Sequence, residues 1–393
     1  MEWTGKRIDS DNIPSRMVDT EDVYKIMCEA IHSGASDIIF QTGRPVMAAI
    51  YGELFALTPY WLQPTQLKRL ATSITNLDSI GAKLNAGDDF DTALSIDDPF
   101  KKDDYNKRIQ YRFRINITAN EYASGQGMQI VCRYIPATPP TIHDIALEEE
   151  IIKFSTPEQG AVLIAGETGS GKTTTFAGLV RYILENDTPI KGNILTYESP
   201  IEFVYEDIAS SHCIISQQEI GKHIPSFAAG IRNSLRRKPS LIVVGELRDI
   251  ESVMAAVEAA NTGHPIYSTV HANSAAHIIR RMTNLFSPEQ QTQAFHDILT
   301  TTQLLISQLL VPKVGGGRIC LREWLVIDEA IRQEILKYPI EQNNSIMRKL
   351  IEKNSNARSM DKTVRIFLKK GLISSETANK VLYRYGYHGL LKE

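Results

Sequence analysis

The chain has 393 residues, 42% of them hydrophobic and 23% charged, with 43 Lys and Arg against 46 Asp and Glu for a net charge of −3. That length holds two or three domains with cores of their own, and the charge balance excludes an overall basic field for nucleic acid or anionic lipid, though not a local basic patch. No apolar run reaches bilayer-spanning length, the first ten residues lack the apolar stretch of a signal peptide, and Cys28, Cys132, Cys213 and Cys320 form no C-x-x-C pair, so a reducing, cytoplasmic setting is expected.

The first residues, 1–19, are polar and read as a loose arm. Val23, Ile26, Met27, Ala30 and Ile31 then recur at helical spacing up to Gly34. Short strand-like runs follow at 36–40, 46–50 and 54–57, separated by Gly43, Pro45 and Gly52. Residues 62–86 read as a helix and its exit. Runs 110–117 and 129–135 alternate as half-exposed strands, with 124–127 as the turn between them. This first domain, 20–135, is therefore expected to be α+β with an antiparallel sheet. Pro136, Pro139 and Pro140 make 136–143 the expected linker. Beyond it strands and helices alternate: strand 161–165, helix 171–185, strand 193–197, an irregular stretch, helix 225–237, strand 241–244, helix 250–260, strand 265–270 and helix 274–285. Such alternation predicts a mainly parallel sheet with crossover helices over 144–330, its ligand site at the strand carboxyl ends. A hairpin around Gly315–Gly317 comes next, and 331–393 reads as a charged, helical extension.

The most informative stretch is Gly166, Glu167, Thr168, Gly169, Ser170, Gly171, Lys172, Thr173, with Thr174 just after it. It fits G-x-x-x-x-G-K-[ST], the loop whose backbone N–H groups and following helix end converge on phosphate oxygens. The apolar run Ala161–Ile164 precedes it, and Phe176, Leu179, Val180, Ile183 and Leu184 repeat at helical spacing after it. Both flanks are what the loop needs. These residues are the expected nucleotide-binding set, for a nucleoside triphosphate with Mg²⁺, Lys172 on the β- and γ-phosphates and Thr173 on the metal.

Three polar residues fall at predicted strand ends: Glu198, Glu246 and His271. Hydrolysis of a nucleoside triphosphate needs one carboxylate near the metal and one that orients a water. Glu246 suits the first role and Glu198 the second, while Glu202 beyond the Ser199–Pro200 turn is the less favoured acid. His271 is placed to bond a phosphate or water. Solvated strand-end acids and a satisfied structural histidine are the competing readings. His264 and His271 lack zinc-ligand spacing, and the neighbours His212 and Cys213 would face opposite sides of a strand, so they make no nucleophile pair. Arg112 and Arg114 share a strand face, Arg133 sits on another strand, and Arg232 and Arg236 are spaced i, i+4. A guanidinium from a neighbouring subunit can stabilise charge on a transferring phosphoryl group, although solvated surface arginines are the default.

Taken in order, GETGSGKTTT, TYESPIEF, ISQQEIG, LIVVGELRD and TGHPIYSTVHANSA resemble the secretion ATPases of the type II and type IV secretion and type IV pilus superfamily. The chain is similar to the PilT-like branch, and within it to the Dot/Icm-type (type IVB) secretion ATPases and their conjugation relatives. The resemblance spans about 20–330 and includes Ala35–Ile38 and Tyr111–Asn116. It implies an N-terminal PAS-like α+β domain and a RecA-like P-loop ATPase domain, assembled as a homo-hexameric ring. It also implies that Gly166–Thr173 is the Walker A loop, Glu198 the catalytic glutamate of the acidic box, and Glu246 the Walker B acid, with Mg²⁺ partly held through water. His264 and His271 would belong to the histidine box. Arg114 and Arg133, together with Arg112, would be the N-terminal arginines that reach nucleotide. Partners would be inner-membrane components of a secretion machine, which would recruit the cytoplasmic ATPase peripherally. No stable nucleic-acid binding is expected.

Two departures stand out. The acidic box has Ser199 where the family usually has Asp, and the tail around Ala330–Ile335 diverges from the segment that marks pilus-retraction motors. The sequence thus points to a Mg²⁺-dependent ATPase that powers secretion or conjugation. A pilus-retraction ATPase, or a nucleotide-gated assembly module with slow hydrolysis, is the alternative.

Overall fold

The computed structural model describes residues 4–50, 53–102, 106–123, 125–135 and 138–387. Contacts divide the chain into two compact units. The first comprises Met1–Thr138 and Ser199–Val204, and the second Pro139–Glu198 and Tyr205–Glu393. The six residues Ser199–Val204 thus group with the first unit, which differs from the continuous boundaries expected from the sequence. The expected linker begins with Pro136 and Ala137, and these lie outside the described residues, as do Ser124 of the predicted turn, residues 1–3 and residues 388–393.

The first unit runs α1 (Thr20–His32), β1 (Asp37–Gln41), β2 (Met47–Ile50), β3 (Glu53–Ala56), α2 (Pro64–Thr75), α3 (Ile80–Asn85), β4 (Phe90–Lys102), β5 (Arg108–Tyr122) and β6 (Gly125–Ile135). Its six strands lie in the order β3-β2-β1-β6-β5-β4, every pair antiparallel. Alternation sends Ile38, Phe40, Phe113, Ile115, Ile117, Ile130 and Cys132 into one face, where they pack with Val23, Ile26 and Met27 of α1 and Leu67 and Leu70 of α2. The opposite face carries Arg112, Arg114, Arg133 and Asp37.

β4 was not anticipated, since its Asp97, Asp98, Pro99, Lys101 and Lys102 are the residues of an unpaired sheet edge. The arm is not wholly loose. Arg7 bridges to Ala56, Ile8 N–H donates to the Ala56 carbonyl at 3.0 Å, and Met17 is buried.

The second unit runs α4 (Glu149–Phe154), β7 (Gly160–Ala165), α5 (Lys172–Glu185), β8 (Gly192–Glu198), β9 (Cys213–Glu219), α6 (Phe227–Ser234), β10 (Pro239–Val244), α7 (Ile250–Asn261), β11 (Pro265–Val270), α8 (Ile278–Thr283), α9 (Gln291–Thr301), β12 (Thr302–Pro312), β13 (Arg318–Val326), α10 (Glu329–Leu336), α11 (Asn343–Lys353), β14 (Ala357–Arg358), α12 (Met360–Lys369) and α13 (Ser375–Arg384). The eight strands order as β14-β13-β12-β7-β11-β10-β8-β9. β7 to β12 pair in parallel, and β13 and β14 add antiparallel at one edge.

β7 sits between β11 and β12 with all six residues buried, the continuous apolar run that a parallel strand covered on both faces requires. On one face Ala161 and Leu163 of β7 join Leu195, Tyr197, Ile242 and Val244 and helices α6 to α9 in one core. On the other, Phe176 of α5 stacks on Tyr267 of β11 at 4.9 Å. The irregular stretch after β8 contains β9, an edge strand whose apolar start, Cys213 to Ile215, gives way to Ser216, Gln217, Gln218 and Glu219. The helix expected over 225–237 stops at Ser234, so Arg236 lies beyond it and does not share a helix face with Arg232. The tail contributes β14 to the sheet as well as helices.

Candidate functional site

β7 hands the chain to the loop Gly166–Gly171, and α5 begins at Lys172. Gly171, at φ 86°, turns the chain into the helix in a conformation that L side chains avoid. Ser170 N–H donates to Glu167 O at 3.1 Å, which closes the loop. The Lys172 ammonium donates to the carbonyls of Gly166 at 2.8 Å and Glu167 at 2.9 Å, so it lies along the inside of the loop. Thr173 and Thr174 follow in the first turn of α5, where backbone N–H groups and the helix dipole favour an anion.

The parallel order brings the carboxyl ends of β7, β11, β10 and β8 to one edge, and three predicted residues meet there. Glu246 follows Gly245, whose N–H donates to Tyr197 O of β8 at 2.8 Å and whose carbonyl accepts from Thr269 Oγ1 of β11 at 2.6 Å. Both neighbouring strands thus fix Gly245, the residue that precedes Glu246. Its carboxylate lies 3.5 Å from His271 Nε2 and 3.2 Å from Arg248 Nη1. Glu198 ends β8, where its Oε1 accepts from Thr196 Oγ1 at 2.6 Å and from Gln217 Nε2 at 3.1 Å. These two donors orient the carboxylate. Gln217 and Arg248 were missed in the sequence, because neither carries a pattern of its own.

His264 is not part of this cluster. It precedes β11 while His271 follows it, and six strand residues separate them by about 20 Å. Its Nδ1 lies 3.2 Å from Ala259 O at the end of α7. His212 Nε2 is 2.9 Å from Ile183 O, and burial raises the Cys213 thiol above its ordinary pKa, so that pair has no nucleophilic chemistry. Among the described residues no group of three or more His, Cys, Asp or Glu side chains gathers as a metal site. The arginines Arg112, Arg114 and Arg133 stand on the first unit's sheet face opposite its helices. Arg114 lies 3.7 Å from Asp91 and 3.8 Å from Glu202, and Arg133 lies 2.8 Å from Asp37. Arg112 donates to Ile201 O at 3.2 and 3.0 Å.

Beside the loop, a cavity of about 280 Å³ is lined by Ser170, Gly171, Thr174 and Thr175 together with Leu310 and Arg322. It continues from the loop along the start of α5 with an apolar and a cationic wall. From the tail, Arg384 at the end of α13 pairs with the Glu167 carboxylate, and the half-buried Tyr385 hydroxyl lies 3.2 Å from Ser307 Oγ.

A phosphate loop rising from the middle of a parallel sheet, with two carboxylates and a histidine on the same edge, defines a P-loop nucleoside triphosphatase. Residues 143–379 match the family described as Type II/IV secretion system protein. The type IV pilus retraction ATPase PilT of Pseudomonas aeruginosa is 31% identical over 359 residues, covering 91% of this chain and 97% of that protein. The crystal structure of the ATPase DotB from Legionella pneumophila is similar with a TM-score of 0.83 and 38% identity, over 96% of this chain and 99% of DotB. The pilus retraction motor PilT with bound ADP is similar with a TM-score of 0.73 and 32% identity, over 91% of this chain and 96% of that one. The chain belongs to the type II/IV secretion system protein family and is an ATPase of its PilT-like branch. Among the described residues no helix is long and apolar enough to cross a membrane.

Proposed function

We propose that this ATPase works as a homo-hexameric, Mg²⁺-dependent motor that powers a type IV secretion apparatus of the type IVB (Dot/Icm-like) kind or a related conjugation machine. The observation that carries the reading is the likeness to DotB, which extends over 96% of the chain and exceeds the likeness to PilT in both identity and TM-score. The motor would act at the cytoplasmic face of the inner membrane, recruited by components of that machine.

In this reading the loop from Gly166 to Thr174 holds the phosphates, and Lys172 turns from the loop carbonyls to the β- and γ-phosphates. Thr173 and Glu246 offer the hard oxygen donors that suit Mg²⁺ beside phosphate and water, without thiolates. The metal, when bound, neutralises charge on the phosphate oxygens. Glu198, held by Thr196 and Gln217, orients the attacking water and takes its proton. His271 supports Glu246 and reaches the phosphate side of the strand edge. Arg114 and Arg133 supply positive charge to nucleotide in the assembled ring, and the cavity beside the loop accepts the nucleoside.

A second reading, a nucleotide-gated assembly module with slow hydrolysis, draws on Ser199 in place of the usual Asp. Pilus retraction draws on the match to PilT over 91% of the chain. Three measurements separate these. Steady-state turnover with Mg²⁺ and with chelator should show hydrolysis only with the metal. Native mass with a non-hydrolysable ATP analogue should show a hexamer, and a monomer throughout would count against a motor. Deletion of the gene in its host should abolish substrate translocation and leave twitching motility intact. The opposite pattern would favour retraction.

A further inference from the structure

The phosphate loop is held from below by a residue that no motif marks. β12 runs parallel to β7, and their last paired residues are Ser307 and Ala165. One residue further along, Gln308 lies under the loop, 1% exposed. Its Nε2 donates to the Ser170 carbonyl at 2.8 Å, and its Oε1 accepts from Thr175 Oγ1 at 2.9 Å. Ser170 belongs to the loop and Thr175 to the first turn of α5, so one amide ties the loop's last turn to the helix it feeds.

The two fixed glycines of the motif rest on the same residue. A Cβ at Gly166 would come within 2.6 Å of the Gln308 carbonyl oxygen, and one at Gly171 within 3.4 Å of its Nε2. Gln308 therefore forms the floor against which the loop is folded. The polarity of the amide follows from its partners. The Ser170 carbonyl can only accept, so the amide nitrogen must face it, and the oxygen is left to take the Thr175 hydroxyl. A buried amide in this position must satisfy both ends, because an unpaired one costs more than the bond contributes.

We propose that Gln308 is a positioning residue for ATP hydrolysis: through Ser170 and Thr175 it sets the shape in which the phosphate loop binds nucleotide, which makes β12 part of the nucleotide-binding machinery. This rests on the reading of Gly166–Thr173 as the phosphate site. Because the loop has to hold its shape in the ground state and the transition state alike, the effect falls on nucleotide affinity more than on the rate at saturation.

The test compares Gln308→Leu, Gln308→Glu, Thr175→Val and Lys172→Ala with the wild-type protein. It measures ADP and Mg-ATP affinity, kcat, KM, and the unfolding temperature without nucleotide. Gln308→Leu removes both buried hydrogen bonds of the amide and should weaken ADP binding and raise KM about tenfold, with kcat changed less than about threefold. Thr175→Val keeps the bond to Ser170 and should lose about threefold. Gln308→Glu gives the reading that mere packing would not. An ionised carboxylate opposes the Ser170 carbonyl, whereas a protonated one donates to it as the amide does. ADP affinity of this variant, relative to wild type at the same pH, should therefore recover as pH falls from about 8 to about 6, because burial raises a carboxyl pKa. Gln308→Leu should show no such recovery.

If wild type binds ADP and Lys172→Ala does not, while Gln308→Leu binds like wild type, the inference is overturned and the phosphate-site reading stands. If wild type itself ignores nucleotide, the underlying reading fails. Should Gln308→Leu not fold, Gln308→Glu decides, and a pH-independent affinity ratio for it would overturn the proposal.

Discussion

Arg384, the final residue of α13, the last helix among the described residues, pairs its guanidinium with the carboxylate of Glu167, the second residue of the phosphate loop. The two are 217 positions apart (384 − 167). Both are partly exposed, with side-chain exposures of 37% and 58%, so the pair adds little to stability. Its place matters more than its strength. Glu167 places negative charge on the loop proposed to hold the phosphates, and Arg384 offsets it.

Arg384→Ala is expected to leave the unfolding temperature unchanged and to weaken ATP binding about threefold at low ionic strength, with the effect shrinking as salt is added. The double variant Glu167→Gln with Arg384→Ala should return to wild-type affinity, since it removes both charges. Titration of a fluorescent ATP analogue at two salt concentrations checks this, and an Arg384→Ala protein equally weak at high salt would disprove the charge argument.

Glu198→Gln keeps the volume and the hydrogen-bonding reach of the side chain but cannot take a proton. Turnover should fall by about 10² to 10⁴ with ATP affinity retained. Lys172→Ala should instead lose both binding and turnover. Single-turnover hydrolysis alongside equilibrium binding distinguishes the two variants, and a Glu198→Gln enzyme of near wild-type rate would remove that residue from the chemistry.

His271 is half exposed and contacts the Glu246 carboxylate at 3.5 Å. His271→Ala should cut kcat about tenfold or more while shifting the unfolding temperature very little, because no core packing is lost. His264→Ala, at the opposite end of β11, should leave kcat unchanged. Equal losses in the two variants would mean that His271 acts only through the fold.

Glu323 on β13 is buried and accepts the N–H groups of Ala275 at 3.0 Å and Met360 at 3.2 Å, which ties the loop after β11 to the start of α12. Burial raises its carboxyl pKa, against the opposing effect of those two N–H groups. A raised folded-state pKa contributes stability below the unfolded value, in the ordinary carboxylate range, and that contribution is lost as pH rises through the folded value. Glu323→Gln does not titrate. Its unfolding temperature relative to wild type should therefore increase as pH climbs from about 4 through the raised pKa, then level off. Paired thermal melts across that range provide the check, and a constant difference would show that Glu323 does not titrate in it.

Much of the fold was legible where a local period or a turn residue carried it. Val23 to Ile31 gave α1, the alternation at 110–117 and 129–135 gave parts of β5 and β6, and the glycines at 315–317 gave the hairpin of β12 and β13. Two edge strands, β4 and β9, were not legible. β4 and β9 satisfy their backbones by pairing on one side only, and their polar residues match those of exposed loops. In the candidate site, Glu198, Glu246 and His271 could be placed because each directly ends or follows an apolar strand. His264 and His271 could be told apart as well, because the strand expected over 265–270 lies between them and matches β11.

By itself the sequence determined the strand, loop and helix that cradle phosphate, since Ala161 to Leu184 is one contiguous stretch in which every requirement is met by near neighbours. Only the tertiary structure decided what holds that loop in shape. Gln308 lies 138 residues from Ser170 and meets it because β12 was laid against β7. Arg384 comes to Glu167 from the chain's far end through the packing of α13. Contacts of that kind leave no spacing in the sequence, because it is the sheet order rather than the distance along the chain that brings the groups together.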